Sequence, residues 1–253
     1  LTGIEKLGQV TDMPLEHEDG VDAIEQIKTE GMEVTLENVD FTFPGQKNKT
    51  LNALSLQINE GDKIMVTGQN VSGRSTLLQV LAGLYEIQEG GITYNQLPVD
   101  NIEMASLRSI IGDCLSQERL FHGSLYDNIT MGRPRATLEN VQWVVHEFGL
   151  EHYIRSLPKG YDTILGPQGE HLPRSIVQKL MLARSVVDRP KLLLLEDVFE
   201  HLGEEDNRKI MDFVTSPENK WTLVAVSNDP YLAQKCNRVI IMDKGQVTHD
   251  GDY

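Results

Sequence analysis

Gly68-Gln69-Asn70-Val71-Ser72-Gly73-Arg74-Ser75-Thr76 follows a short apolar run at 63–67 and opens a helical pattern at 75–84, with Leu77, Leu78, Leu81 and Leu84 on one face. Strand, glycine-bearing loop and helix in this order fit the phosphate-binding pattern GxxxxGK[ST] at every fixed position but one, where Arg74 replaces lysine. Such a loop works because backbone N–H groups and a helix N-terminus wrap phosphate oxygens, a hydroxyl meets Mg²⁺ and a cation offsets charge. Ser75 is placed to supply the hydroxyl and Arg74 the charge, although a forked guanidinium is no neutral exchange for an ammonium threaded through a loop. The competing reading of the same residues is an ordinary glycine-containing turn.

Outward from this loop, hydrophobic patterning sets the class. Val34, Leu36, Val39, Phe41 and Phe43 alternate up to Pro44-Gly45, as in a half-buried strand entering a turn. Runs at 54–58, 63–67, 192–195 and 222–227 read as further strands, with 92–94 a short one. Helical patterns occupy 174–187, 204–214 and 231–236, and residues 100–165 read mostly as helices and loops, firmest at 141–148. The stretches 238–242 and 246–248 close the chain as a hairpin around Lys244-Gly245. Strands alternating with helices predict an α/β fold with a mixed, mostly parallel core sheet, an antiparallel β subdomain and a helical subdomain at about 105–185. The loop strand and the 192–195 strand are expected to be neighbours.

Charge narrows the function classes. The 253 residues carry 23 Lys and Arg against 38 Asp and Glu, a net −15, which argues against nucleic acid as a partner because that binding rests on basic residues. Cys114 and Cys236 lie far apart in no metal-ligand spacing, so reduced thiols in a cytosolic setting fit better than a disulfide scaffold or a zinc site. No apolar run approaches the roughly 18 residues of a membrane span. Residues 1–33 hold nine acidic side chains against Lys6 and Lys28, so −7 of the net charge sits there. With Pro14 and Gly20 as turn formers, this segment reads as an acidic linker or arm, solvated rather than packed. The start at Leu1 rather than Met suggests a piece of something longer.

From Val34 to Gly251 the chain resembles the nucleotide-binding domain of exporter-type ATP-binding cassette (ABC) transporters, a P-loop NTPase-like fold. Phe41-Thr42-Phe43-Pro44-Gly45 stands where that family has an adenine-stacking aromatic, and residues 68–76 resemble its Walker A loop. Ile111-Gly112-Asp113-Cys114-Leu115-Ser116-Gln117, with 120–129 after it, is similar to the exporter Q-loop. Leu157-Pro158-Lys159-Gly160-Tyr161-Asp162-Thr163 precedes the signature helix as it does there, and Leu182-Ala183-Arg184, Pro190-Lys191 and Lys244-Gly245-Gln246-Val247 continue the likeness. The resemblance implies ATP and Mg²⁺ as ligands, held by Phe43, Gly68, Asn70, Ser72, Gly73, Arg74, Ser75, Thr76 and Gln117, with Ser75, Gln117 and Glu196 at the metal. It implies as partners a second nucleotide-binding domain, in a homo- or heterodimer, and a transmembrane domain. The location it implies is the cytoplasmic face of the membrane, with residues 1–33 leading in from a preceding membrane helix.

The same likeness exposes losses at the catalytic positions. Val71 stands where Walker A commonly has a further glycine. The signature Leu-Ser-Gly-Gly-Gln reads Leu172-Pro173-Arg174-Ser175-Ile176. Walker B ends Glu196-Asp197 where the family has Asp-Glu, and the switch histidine falls on Asn228. The D-loop aspartate maps to Gly203. Leu202 matches the D-loop leucine only in this register of the four leucines; a one-residue slip would put Asp197 on the metal position and Val198 on the catalytic one. Asp197 and Asn228 are therefore degenerate catalytic positions, and ATP is expected to bind weakly or not at all, with hydrolysis impaired or lost. Alternatively the cassette is a pseudo-ATPase kept as a regulatory or interaction module. Blander readings make Phe43 a core aromatic, Gln117 a solvated amide and Asp197 a structural carboxylate.

Overall fold

A computed structural model of the chain describes residues 20–116 and 119–253. In chain order these form α1 (Ala23–Gln26), β1 (Val34–Phe41), β2 (Leu51–Ile58), β3 (Lys63–Gly68), α2 (Arg74–Leu81), β4 (Glu89–Tyr94) and β5 (Leu97–Pro98). Then follow α3 (Met104–Ser109), β6 (Ile111–Cys114), β7 (Gly123–Ser124), α4 (Leu125–Thr130), α5 (Leu138–Glu147), α6 (Glu151–Ser156), β8 (Ile164–Leu165) and α7 (Arg174–Val186). The last third is β9 (Leu192–Glu196), α8 (Glu204–Thr215), β10 (Thr222–Val226), α9 (Pro230–Lys235), β11 (Arg238–Asp243) and β12 (Gln246–Gly251).

A six-stranded sheet in the order β12-β11-β3-β10-β9-β6 forms the centre, parallel throughout except for the antiparallel hairpin strand β12. Its two faces separate cleanly because strand side chains alternate. Ile64, Val66, Val224, Val226, Leu192 and Leu194 pack toward α2 and the antiparallel sheet β2-β1-β4-β5. Met65, Ala225, Leu193 and Leu195 pack toward the helical lobe, with Leu180, Ile210 and Phe148. Both faces buried is what continuous runs such as Leu192–Leu195 require.

Two sequence expectations change here. The loop strand β3 and the strand β9 are not neighbours: β10 lies between them, paired in parallel with each. All five residues of β10 are buried, so it belongs in the interior of the sheet, and chain order carries no information about which strand fills that slot. Residues 111–114, within a stretch read as helices and loops, form a core strand beside β9. Gly112 lets α7 cross that strand, since a Cβ there would lie 1.9 Å from the Ser185 carbonyl oxygen.

The arm is a third correction. Of residues 1–33, those from 20 onward leave most side chains exposed but are anchored in the core at a few positions, where a wholly solvated segment was expected. Ala23, Ile27 and Met32 are fully buried in the cluster on the α2 face, each of the larger two contributing about 1.5–3 kcal/mol. The Asp22 carboxylate caps α1 by accepting from Ile24 N–H at 2.7 Å, and Ala23 N–H donates to Ser106 Oγ at 2.8 Å. Thr222 Oγ accepts from Met32 N–H (3.0 Å) and Gly61 N–H (2.9 Å) and donates to Met32 C=O (2.7 Å). Charge averaged over the whole arm conceals these few apolar anchors.

Candidate active site

The loop between β3 and α2 sits at the C-terminal ends of the parallel strands. Gly68 (φ +148°) has no room for a side chain: a Cβ would meet Met242 C=O at 2.2 Å. Gly73 (φ +96°) caps α2, and a Cβ there would meet Thr50 C=O at 2.8 Å. Ser72 N–H closes the turn onto Gln69 C=O (3.2 Å), while Gly245 N–H reaches over from the β11–β12 turn to Ser72 C=O (3.0 Å). Sequence reasoning missed that buttress; its only signal was the Lys-Gly turn, which says nothing of what the turn touches.

Inside this frame the donors converge. Leu77 N–H is the first to find an intrahelical acceptor, Gly73 C=O at 2.8 Å, so the N–H groups of Arg74, Ser75 and Thr76 open the helix with none. Ser72 is 3% exposed and its Oγ has no hydrogen-bond partner; it lies 3.1 Å from where a Gly68 Cβ would stand, turned into the loop. An orphaned buried hydroxyl beside unpaired N–H groups fits a phosphate oxygen. Asn70 and Ser75 are exposed and Thr76 buried. Val71, 97% exposed at φ +67°, holds a β-branched residue in the left-handed region that glycine takes freely.

Arg74 is half-buried and its Nη1 donates to Asn228 Oδ1 at 3.4 Å; the same oxygen accepts from Thr67 Oγ at 2.6 Å. The loop's cation, the end of β3 and the second residue after β10 thus form one cluster, and Thr67 is a member that no motif marked. Glu196, the last residue of β9, continues the alternation of Leu192 and Leu194 and so lies on the α2 face of the sheet. It is 6% exposed, and its Oε2 accepts from Ser116 N–H at 3.0 Å. Asp197 follows at φ +48°, exposed. Partial desolvation pushes its carboxyl above the ordinary carboxylate range; Arg74 opposes this, and Glu200 and Glu196 add to it.

Phe43 is half-buried and stands edge-on to Phe41 (4.9 Å) and Tyr85 (5.5 Å). It is a member of an aromatic cluster as well as a candidate stacking surface. Gln117 lies outside the described residues. At the signature position α7 begins at Arg174 behind Pro173, with no side-chain cap and no acid in its first turn. Arg174 is exposed. Arg184, further along α7, is buried and donates to Asn128 C=O (2.8 Å) and Arg119 C=O (3.1 Å), tying the helix to the segment beyond β6.

Residues 51–200, more than half of the chain, match the model of the family described as ABC transporter. The chain belongs to that family. Loop, fold and family together make it a nucleotide-binding domain, of the exporter type that its relatives represent. The alpha-hemolysin translocation ATP-binding protein HlyB of Escherichia coli is 29% identical over 250 residues, covering 99% of this chain and 35% of the relative. The glutathione/L-cysteine transport system ATP-binding/permease protein CydC of Escherichia coli is 29% identical over 220 residues, 87% of this chain and 38% of that protein. This ABC domain therefore spans little more than a third of the length of either of these relatives. A bacterial Atm1-family ABC exporter solved with ATP bound superposes with a TM-score of 0.87 at 21% identity, over 98% of this chain and 43% of the other. That likeness carries the fold. Among the described residues no helix is long and apolar enough to cross a membrane.

Proposed function

We propose that this ABC domain pairs with a second nucleotide-binding domain beneath a transmembrane domain at the cytoplasmic membrane face, binds ATP weakly at residues 68–76, and hydrolyses it at or near background. Residues 1–33 lead in from that membrane domain, and residues from about 105 to 185 form the helical subdomain. The observation that carries the catalytic part is the Arg74–Asn228 contact at 3.4 Å. The loop's cation and the residue at the switch position engage each other at the long end of hydrogen-bonding distance, and an arginine–asparagine pair does not reproduce the lysine and histidine that the family resemblance puts on the γ-phosphate, the electrostatic role on which phosphoryl transfer depends.

Other features support the same reading. Glu196 is one methylene longer than aspartate and already accepts from Ser116 N–H. Asp197 falls a methylene short of glutamate, and misplacement near 1 Å can cost about a hundredfold in rate. Arg74, Ser72 and the open N–H groups retain some phosphate affinity, while Val71 stiffens the loop; binding is expected to be weaker than in an intact cassette by about tenfold or more, or about 1.4 kcal/mol.

Phosphate release is the test, measured for the 253-residue chain and for Asp197→Glu alone and combined with Arg74→Lys and Val71→Gly. Background rates in the unmodified chain, with no recovery in the single variant, are expected, because residues acting as a unit are strongly non-additive. Turnover near ~1 s⁻¹ in the unmodified chain, within the ordinary enzyme range, overturns the reading.

A further inference from the structure

We propose that the cleft where the C-terminal ends of α5 and α8 meet binds a small organic ammonium ion with an apolar body. The cleft shares no residue with the nucleotide loop, and the proposal is independent of how that loop functions.

The cavity measures about 530 Å³, within the range of small-molecule pockets. Its apolar lining is Trp143 and Phe213, both half-buried, with ring centroids 5.7 Å apart. Phe213 stands in turn against the buried rings of Phe148 (5.4 Å) and Trp221 (5.7 Å), so the aromatic floor is rooted in the core. Trp143 already accepts one cation: the Arg189 guanidinium lies 4.0 Å from its ring centroid, and Arg189 is not among the residues that line the cavity. Aromatic faces attract cations through their quadrupole, by about 0.5–1 kcal/mol at exposed sites and more where water is excluded.

The charges around this floor select the sign of the guest. α5 has ten residues and ends at Glu147; α8 has twelve and ends at Thr215, followed by Ser216; Glu147 and Ser216 both line the cavity. Two negative helix ends therefore border one space. A cation there offsets them, yet α8 has no basic residue in its last turn and α5 has only His146. Three lining carboxylates, Glu147, Asp212 and Glu218, stand against the single ammonium of Lys209, a charge of −2 with His146 neutral. Lys209 is drawn to Glu205 at 2.6 Å, and Asp212 is taken up by Lys235 (2.6 Å) and the Tyr231 hydroxyl (2.9 Å). The Glu147 and Glu218 carboxylates have no partner among the described residues. An ammonium N–H donated to either makes a charge-assisted hydrogen bond, while the hydrocarbon of the guest covers the two rings. An anion is repelled here, and a neutral molecule of the same shape gains only the burial.

Calorimetric titration of the whole chain with phenethylammonium in low salt tests this, with 2-phenylethanol as the neutral counterpart. A dissociation constant of about 1 mM or below is expected for the ammonium, with the alcohol at least about tenfold weaker. Glu147→Gln combined with Glu218→Gln should weaken the ammonium at least about fivefold while the urea midpoint stays unchanged. Trp143→Leu should weaken it as well, by removing the ring face. Equal binding of the alcohol overturns the ammonium assignment. Undiminished affinity in the double variant, or no binding up to about 10 mM phenethylammonium, overturns the site.

Discussion

The two ends of the central sheet are built to opposite specifications. At the N-terminal ends of the parallel strands polar groups are satisfied in pairs and triples. Thr222 Oγ makes three hydrogen bonds, and Asp62 binds Arg238 at 2.6 Å and Asn237 at 3.1 Å. The buried Lys63 ammonium, in no ion pair among the described residues, donates to the carbonyls of Asn219 and Trp221. At the C-terminal ends the reverse holds: an orphaned serine hydroxyl, unpaired N–H groups, and non-glycine residues at positive φ at Val71 and Asp197. One end holds the fold, and the other keeps its polar groups and strain for a ligand.

The sharpest way to break this contrast is at the satisfied end. Thr222→Val keeps the shape but leaves Met32 N–H, Met32 C=O and Gly61 N–H without their partner. About 3 kcal/mol of stability should be lost, at the upper end of the cost of buried unpaired groups, read as a lowered urea midpoint. A midpoint unchanged within ~0.5 kcal/mol would show that the arm is not held there.

Titration gives a second, smaller effect. Burial lowers the Lys63 ammonium to about 8, so between pH 8 and about 10 the unfolded chain binds the extra proton and stability should rise with pH. Burial also pushes the Cys236 thiol up to about 12, so above about pH 9 the unfolded chain releases a proton that the native state keeps, and stability should fall. Urea midpoints from pH 7.5 to 10 should rise first and then flatten. Cys236→Ala should steepen the rise, and Lys63→Met should remove it. A flat profile in Cys236→Ala would contradict the burial of the lysine.

The smallest change sharpens the comparison from the other end. Val71→Gly relieves a left-handed β-branched residue whose side chain packs on nothing, against glycine's own entropy cost. A gain of about 0.5–1 kcal/mol is expected, where a buried aliphatic truncation costs several. Destabilisation would mean that the loop conformation depends on valine.

How much of this could be read in advance depends on range. The loop, its helix and the strands at 63–67 and 192–195 were legible because each is decided within a few residues. The place of β10 between β3 and β9 was not, since three equally apolar runs compete for the same interior slots. The strand at Ile111–Cys114 was hidden by Gly112 and Asp113, and the reason for the glycine lies in Ser185 of α7, more than seventy residues away. Ala23, Ile27 and Met32 were masked by the acids around them. The identities at Arg74, Glu196, Asp197 and Asn228 were plain in the sequence; that Arg74 and Asn228 meet, and that Glu196 turns to Ser116, needed three dimensions.

β10 has a mechanical consequence. Its first residue, Thr222, grips the arm, and two residues past its last lies Asn228, in contact with Thr67 and Arg74. The six steps between them span roughly 20 Å of extended chain at about 3.3 Å per residue. Within that span Thr222–Val226 is clamped by a parallel neighbour on either edge and cannot slip register without breaking both ladders. The strand is thus a stiff strut, coupled at each end by a side-chain hydrogen bond: Thr222 Oγ to the Met32 backbone at the arm, and Asn228 Oδ1 to Thr67 and Arg74 at the nucleotide loop.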